Sequence, residues 1–383
     1  MRIVIDRKIF EITNDELGKG TTSTVKKCFE IINGKNEKQY AIKSLTYRDE
    51  ALNEIKILKK IKGIDSSFRV NFPVLYASGN MDDIFYIVTE IIEGTPIRTI
   101  DLEVMRIAIS SLDQLHSIGI VHGDIKIENI LQSHENKNHI TYIDFGASCT
   151  IDEDCVNRTY RDMGTYNYMD PFMFMHERKI LDKYVKYLVN PLSDVFSLGV
   201  VFFNLLRGSR IEKPLYTDIT YFGSKNIDFI PFLTGSEHGP IQDDNKYTKI
   251  FDKIVSEIRQ IFVKIPGNDI DKTKICNIAT FMLWCSGSNK IRPTTTDLIN
   301  FIDGITPTII LSGNISQYFS FNPKRKSKKS KNKKKSKNKK KSKKKSKNKK
   351  KSKNKKKSKN KKKSKKKSKN KKKSKNKKKS KKY

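Results

Sequence analysis

Apolar residues in the first ninety positions fall in short strand-like runs, while from about residue 100 they recur at helical spacing. This change of period constrains the fold more than any other feature of the chain. The first ten residues alternate charged side chains with Ile and Val, as an edge strand does. Ile9, Ile12 and Leu17 lead into a Gly/Thr/Ser turn, residues 25–32 form a second strand, Asn33-Gly34-Lys35-Asn36 is a hairpin signal, and Tyr40-Ala41-Ile42-Lys43 a third strand. One helix interrupts them at 50–61, with Leu52, Ile55, Leu58 and Ile61 expected on its buried face. Two more strands follow near 74–77 and 84–89. Helices are then expected at 102–117, 192–206, 247–262, 275–285 and 295–302. Strands first and helices later imply an α+β chain, with a sheet-rich small lobe over about 1–90 and a helical large lobe over about 95–305.

The formal charge of +38 is not spread over that body. Residues 324–383 hold 41 of the 79 Lys and Arg and none of the 41 Asp and Glu, leaving 38 basic against 41 acidic residues before them. The folded part is therefore close to neutral and long enough for two modest cores. The tail repeats Ser-Lys-Asn-Lys-Lys-Lys with no apolar residue before Tyr383, so it has nothing to bury and is expected to be disordered on its own. Its alphabet also matches an expanded adenine-rich coding tract, which would give it no function at all. Residues 306–323 read as a linker. The five cysteines, Cys28, Cys149, Cys155, Cys276 and Cys285, show no C-x-x-C spacing. Reduced thiols are expected, with neither a disulfide framework nor a zinc site. The N-terminus does not resemble a signal peptide, and the apolar run at 195–206 is too short to span a bilayer. The chain thus reads as soluble and intracellular, in nucleus or cytoplasm.

The residues that carry chemistry are His122-Gly123-Asp124-Ile125-Lys126-Ile127-Glu128-Asn129 and, after a hairpin's length of chain, Asp144-Phe145-Gly146. Two carboxylates, a lysine and an amide stand here at the spacing of a phosphoryl-transfer site. Asp124 can accept a hydroxyl proton, and Asn129 and Asp144 can hold Mg²⁺ against ATP phosphates. Short apolar runs on either side would pin these groups to buried strands.

Residues 9–303 resemble a eukaryotic-type protein kinase domain of the Ser/Thr class, with its bilobal fold. Gly18-Lys19-Gly20-Thr21-Thr22-Ser23-Thr24-Val25, preceded by Leu17, is similar to the glycine-rich loop of that family, in which missing Cβ atoms let backbone N–H groups approach phosphates. Ser23 replaces the third glycine. Tyr40-Ala41-Ile42-Lys43 resembles the family's lysine strand, so the resemblance implies that Lys43 contacts the α/β-phosphates and that a helix Glu pairs with it. Glu54 fits that role best, and Glu50 is the alternative. Thr89, Glu90 and Ile92 resemble gatekeeper and hinge, with Val25 and Ala41 over the adenine. Lys126 resembles the lysine that steadies the γ-phosphate. His122 reads as structural, stacked with Phe145 and Leu58 between the lobes, and Asp194 matches an Asp that accepts backbone hydrogen bonds from the catalytic loop.

Two further positions depart from the pattern. Gly123 stands where the family usually has an Arg that pairs with a phosphorylated activation loop, so that ordering route is closed. Thr150, Thr159, Tyr160 and Thr165 are hydroxyls of that segment available to a kinase. In Gly164-Thr165-Tyr166-Asn167-Tyr168-Met169-Asp170-Pro171-Phe172, Phe172 replaces the Glu that usually pairs with an Arg, here Arg292. Unless Asp170 or Glu177 substitutes, Arg292 lacks a buried counterion. The resemblance implies a kinase using ATP and Mg²⁺ on Ser or Thr of a protein. The alternative is an inert kinase-fold binding module tethered by its tail. That tail is a candidate anchor for nucleic acid or an acidic partner. Oligomeric state is not legible.

Overall fold

The computed structural model describes residues 1–20, 22–64, 71–151, 155, 164–170, 190–210, 244–283 and 292–305. The chain separates into two units, Met1–Phe321 and Asn322–Tyr383, and all described residues lie in the first. The expected linker and tail fall outside them.

Six antiparallel strands open the fold: β1 (Arg2–Ile5), β2 (Lys8–Lys19), β3 (Ser23–Ile32), β4 (Lys35–Leu45), β5 (Leu75–Met81) and β6 (Ile84–Thr89), in the order β1-β2-β3-β4-β6-β5. Two-residue turns join three of the pairs, each with both residues at positive φ: Asp6-Arg7, Asn33-Gly34 and Asp82-Asp83. That backbone matches the right-handed twist of the flanking strands. The Asn-Gly turn was legible from its glycine, whereas the other two use Asp and Arg, which disguised them. Period-two alternation then sorts the sheet's side chains. Tyr40, Ile42, Tyr86 and Val88 enter a small core with Ile3, Ile5 and Phe10. Ile87 faces the other way, into the main core, and Lys43 lies opposite it in register.

Helix α1 (Arg48–Lys62) packs on that second face. Asp49 and Glu50 stand in its first turn and three lysines in its last, as the helix dipole favours. Its buried set is Ala51, Glu54, Ile55, Ile57, Leu58 and Ile61. Leu52, expected among them, is 45% exposed. The true stripe starts one residue earlier, so that Glu54 falls inside it.

The helical lobe begins after β7 (Gly94–Pro96), which pairs with β9 (Ile130–Ser133), itself paired with β10 (Ile140–Tyr142). A Cβ on Gly94 would lie 2.7 Å from the Gln132 carbonyl, so only glycine lets these strands close. Helix α2 (Leu102–Ser117) is capped by Asp101, whose side chain accepts the Val104 amide. Helix α3 (Pro191–Arg207) starts at an Asn190–Ser193 capping box with proline in its first turn and ends at Gly208 in the left-handed region. Twelve of its seventeen residues are buried, which makes it the central helix of the lobe. Helices α4 (Asp244–Ile261) and α5 (Asp269–Met282) pack against it, and α6 (Thr295–Ile302) packs against α2. Two-stranded pairing of β8 (Ile120–Val121) with β11 (Cys149–Thr150) holds the loop over residues 122–129 beside the segment that follows Asp144. The result is the α+β, bilobal arrangement expected, a sheet lobe followed by a helical lobe.

Candidate active site

Lys43 is the meeting point of the cleft. Its Nζ lies 2.7 Å from Glu54 Oε2 on α1 and 2.6 Å from Asp144 Oδ1, joining residues 11 and 101 positions away in sequence. The two carboxylates differ in exposure. The Glu54 side chain is 5% exposed and that of Asp144 is 38% exposed, so one is a closed counterion and the other keeps a face open to the cleft. Burial works to lower the Lys43 pKa, but the charges of Glu54 and Asp144 outweigh it and hold the ammonium above its ordinary value. Burial also acts on both acids. It prevails at Glu54, which is raised despite Lys43, whereas at Asp144 the Lys43 charge prevails and the carboxyl is lowered. Asp144 adopts φ +68, a left-handed backbone uncommon outside glycine and found where a site over-determines its geometry. Glu50, the alternative partner of Lys43, instead accepts the Thr22 hydroxyl at 3.1 Å with both oxygens and fills the space a Cβ on Gly146 would need.

Asp124 is surrounded by donors. Thr165 Oγ1 donates to its Oδ1 at 2.7 Å, and Lys126 Nζ and Asn129 Nδ2 reach its Oδ2 at 2.6 and 3.2 Å. An ionised carboxylate offers about four lone-pair sites, so these three donors leave room for one more hydroxyl. Lys126 also reaches Thr165 Oγ1 at 3.1 Å. Thr165, one of the free hydroxyls of the segment by sequence, is in fact part of this cluster. The signal for it was present in the Gly164-Thr165 pair that opens its motif.

Asn129 is buried and also donates to the Asp124 carbonyl at 2.8 Å, which spends its amide nitrogen and leaves the amide oxygen as the atom suited to a cation. Among the described residues no three His, Cys, Asp or Glu form a metal cage. The donor set is one amide and one carboxylate, which fits Mg²⁺, a cation that takes few protein ligands and completes its shell with phosphates and water.

Above the cleft, Gly18 and Lys19 pair with Val25 and Thr24, and the Gly20 amide donates to the Ser23 carbonyl at 2.8 Å. A Cβ on Gly18 would meet nothing within 4 Å, so its absence keeps backbone uncovered. Thr21 lies outside the described residues. Leu17 is exposed at the mouth. Val25 stands opposite Lys43, and Ala41 opposite Thr89 at the end of β6. Beyond Thr89, the Glu90 amide donates to the Val74 carbonyl at 3.4 Å and Ile92 follows in a stretch without regular secondary structure.

The scaffold ties these loops together. Asp194 accepts the His122 and Gly123 amides at 2.7 and 2.9 Å, as expected, and also meets His116 Nε2 at 3.0 Å. His122 uses both ring nitrogens on backbone, at Ile143 and Asp124, and its ring lies 5.0 Å from that of Phe145 at a tilt of 45°. Arg292 does not lack a counterion: its Nη1 lies 2.6 Å from Asp170 Oδ2, both side chains almost wholly buried. Phe172 and Glu177 fall outside the described residues. The cysteine reading needs correcting. Cys149 and Cys155 form a disulfide, their Cα atoms 5.1 Å apart across a separation of six positions, a proximity that spacing alone did not reveal. Cys28 and Cys276 are free, and burial pushes both thiols up to about 12. Cys285 is outside the described residues.

The sequence profile of the protein kinase domain family matches residues 12–231. Among curated proteins the chain is 28% identical over 185 residues to the serine/threonine-protein kinase PrkC of Bacillus subtilis, covering 45% of this chain and 27% of that one. It is 28% identical over 255 residues to the probable serine/threonine-protein kinase fnkE of Dictyostelium discoideum, covering 58% and 18%. It is also 28% identical over 218 residues to a probable myosin light chain kinase of the same organism, covering 53% and 64%. The chain thus spans less than two thirds of the length of these relatives. With the profile running over more than half of its length and the motif residues converging on one cleft, the chain belongs to the protein kinase domain family.

Proposed function

We propose that the protein transfers the γ-phosphoryl group of ATP to serine or threonine hydroxyls of a protein. The observation that carries this reading is the convergence of Glu54, Lys43 and Asp144 at 2.7 and 2.6 Å beside an Asp124 with room for one more hydroxyl. The backbone of residues 18–25 and the Lys43 ammonium receive the phosphates, with Thr89, Glu90 and Ile92 beside the base and Val25 and Ala41 above it. Asn129 and Asp144 would hold Mg²⁺, which would supply positive charge to those phosphates. Asp124 orients the substrate hydroxyl and takes its proton as the new P–O bond forms and ADP leaves. Lys126 neutralises charge on the transferred group. Thr165 holds Asp124 in its rotamer from the opposite side.

The test is transfer of labelled phosphate from ATP to a generic basic protein by the full chain, with Lys43→Met beside it. Transfer by the wild type that falls by several powers of ten in the variant supports the reading. A wild type that shifts its melting temperature with ATP but transfers nothing would instead identify an inert binding module.

The tail extends the proposal. Its 41 basic residues, with no acid and no base-stacking ring before the terminal Tyr383, suit a sequence-blind electrostatic anchor for nucleic acid or an acidic partner. Its 11 serines would be self-substrates, each phosphate adding about −1.5 to −2 charges. Full-length protein should bind duplex DNA more tightly than residues 1–322 at low salt and lose that advantage at physiological salt. Equal binding of the two would leave the tail a passenger.

A further inference from the structure

Helix α1 reaches the metal-side loop through a residue to which sequence assigned no role. Asn53 Nδ2 donates to the Gly146 carbonyl at 3.0 Å and to the Ser148 carbonyl at 2.8 Å, so both of its N–H groups end on the three residues that follow Phe145. The chain of contacts does not stop there. Ser148 donates its hydroxyl to the His122 carbonyl at 2.7 Å and its amide to Phe145 at 3.1 Å, and His122 hangs on Asp194 of α3. One residue beyond Ser148, Cys149 is tied to Cys155. Glu54, adjacent to Asn53 on the helix, holds Lys43 and through it Asp144. Two neighbouring side chains of α1 therefore grip the Asp144 loop from both sides, one through charge and one through backbone.

This arrangement stands where a phosphate-dependent one is closed. Gly123 carries no side chain, and its φ of +78 is a conformation in which glycine is relaxed and an arginine strained. Resting on the kinase reading above, we infer that Asn53 is a positioning residue for phosphoryl transfer, setting the Asp144 loop in its working geometry without an activation-loop phosphate. The amide is suited to this: it is half-buried, bears no charge, and supplies two parallel donors to carbonyls that are otherwise left without α1. An aspartate of the same shape has no donor and sets a carboxylate against two carbonyl oxygens.

The experiment compares full-length wild type with Asn53→Asp, and with Leu52→Ala as a control on the exposed side of the same helix. It reads kcat, KM for a basic protein substrate, Mg²⁺ dependence and amide exchange over residues 146–151. In Asn53→Asp kcat should fall about thirtyfold, or about 2 kcal/mol at 1.36 kcal/mol per decade. The protein KM should stay within twofold, the Mg²⁺ requirement should rise, and the amides at 146–151 should exchange faster while those of α2 do not. A kcat within threefold of wild type, or an unchanged Mg²⁺ requirement, overturns the inference. A wild type that transfers nothing defeats only the functional reading. The tether is then judged by exchange, where unchanged protection at 146–151 overturns it and faster exchange sustains it.

Discussion

Two buried cations anchor this fold, and they have been treated differently. Lys43 meets Glu54 and Asp144 with every partner at the position the kinase pattern prescribes. Arg292 meets Asp170, two positions before the Phe172 that stands in the prescribed place. Both contacts are 2.6 Å long and both join parts of the chain more than a hundred residues apart. The difference lies in what the carboxylate must do. In the proposed reaction Asp144 would face a cation and a set of phosphates, so its direction would be fixed by atoms outside the protein. Asp170 has only to neutralise a guanidinium, which presents a planar fork of five donors and also bonds the Leu192 carbonyl and stacks over Phe196. Any acid brought within reach serves, so the role is free to move along the chain.

Substitutions at the two anchors should therefore fail in different currencies. The largest effect is on rate. Asp144→Ala should remove transfer by about four powers of ten or more while the melting temperature moves little, measured by labelled-phosphate transfer beside thermal unfolding. Activity within tenfold of wild type would erase the distinction between the anchors. Asp170→Ala should act on the fold, leaving a buried guanidinium unpaired at a cost of about 3–5 kcal/mol in denaturant unfolding. Asp170→Ala combined with Arg292→Met should recover much of that loss, since the uncompensated charge goes with the arginine. If the double variant is no more stable than the single one, the pair does more than neutralise charge. Gly123→Arg is the smallest of the three. An arginine at φ +78 should cost about 1–2 kcal/mol, a fall of a few degrees in melting temperature, with no gain in activity.

Much of this was legible in sequence where the signal is local. The strand and helix order followed from periodicity. Asp124, Lys126, Asn129 and Asp144 stood out by spacing and Lys43 by resemblance, and the structure brings Lys43 to Asp144 and both Lys126 and Asn129 to Asp124. What escaped was what depends on a chain neighbour brought close in space. Leu52 looked as apolar as Ile55, and only the rotation of α1 that buries Glu54 turned it outward. The Cys149–Cys155 bridge needs their Cα atoms within 5.1 Å, which no cysteine spacing announces. Asn53 and Thr165 are small polar residues of ordinary appearance, and their roles exist only through backbone carbonyls and a carboxylate delivered from elsewhere. Asp170 was legible only as one of two candidates, since reach, not type, decides it.

The central claim is a transfer site whose geometry is complete without a phosphate on its activation segment. Of the four hydroxyls named there, Thr150 is buried on β11 and Thr165 is bonded to Asp124, while Thr159 and Tyr160 lie outside the described residues. The direct measurement is the rate of labelled-phosphate transfer by full-length protein before and after exhaustive phosphatase treatment, with phosphate content checked by mass spectrometry. The account predicts a rate unchanged to within about twofold. A fall of more than about tenfold, or about 1.4 kcal/mol, would contradict it and show that a basic residue other than the missing arginine receives a phosphate.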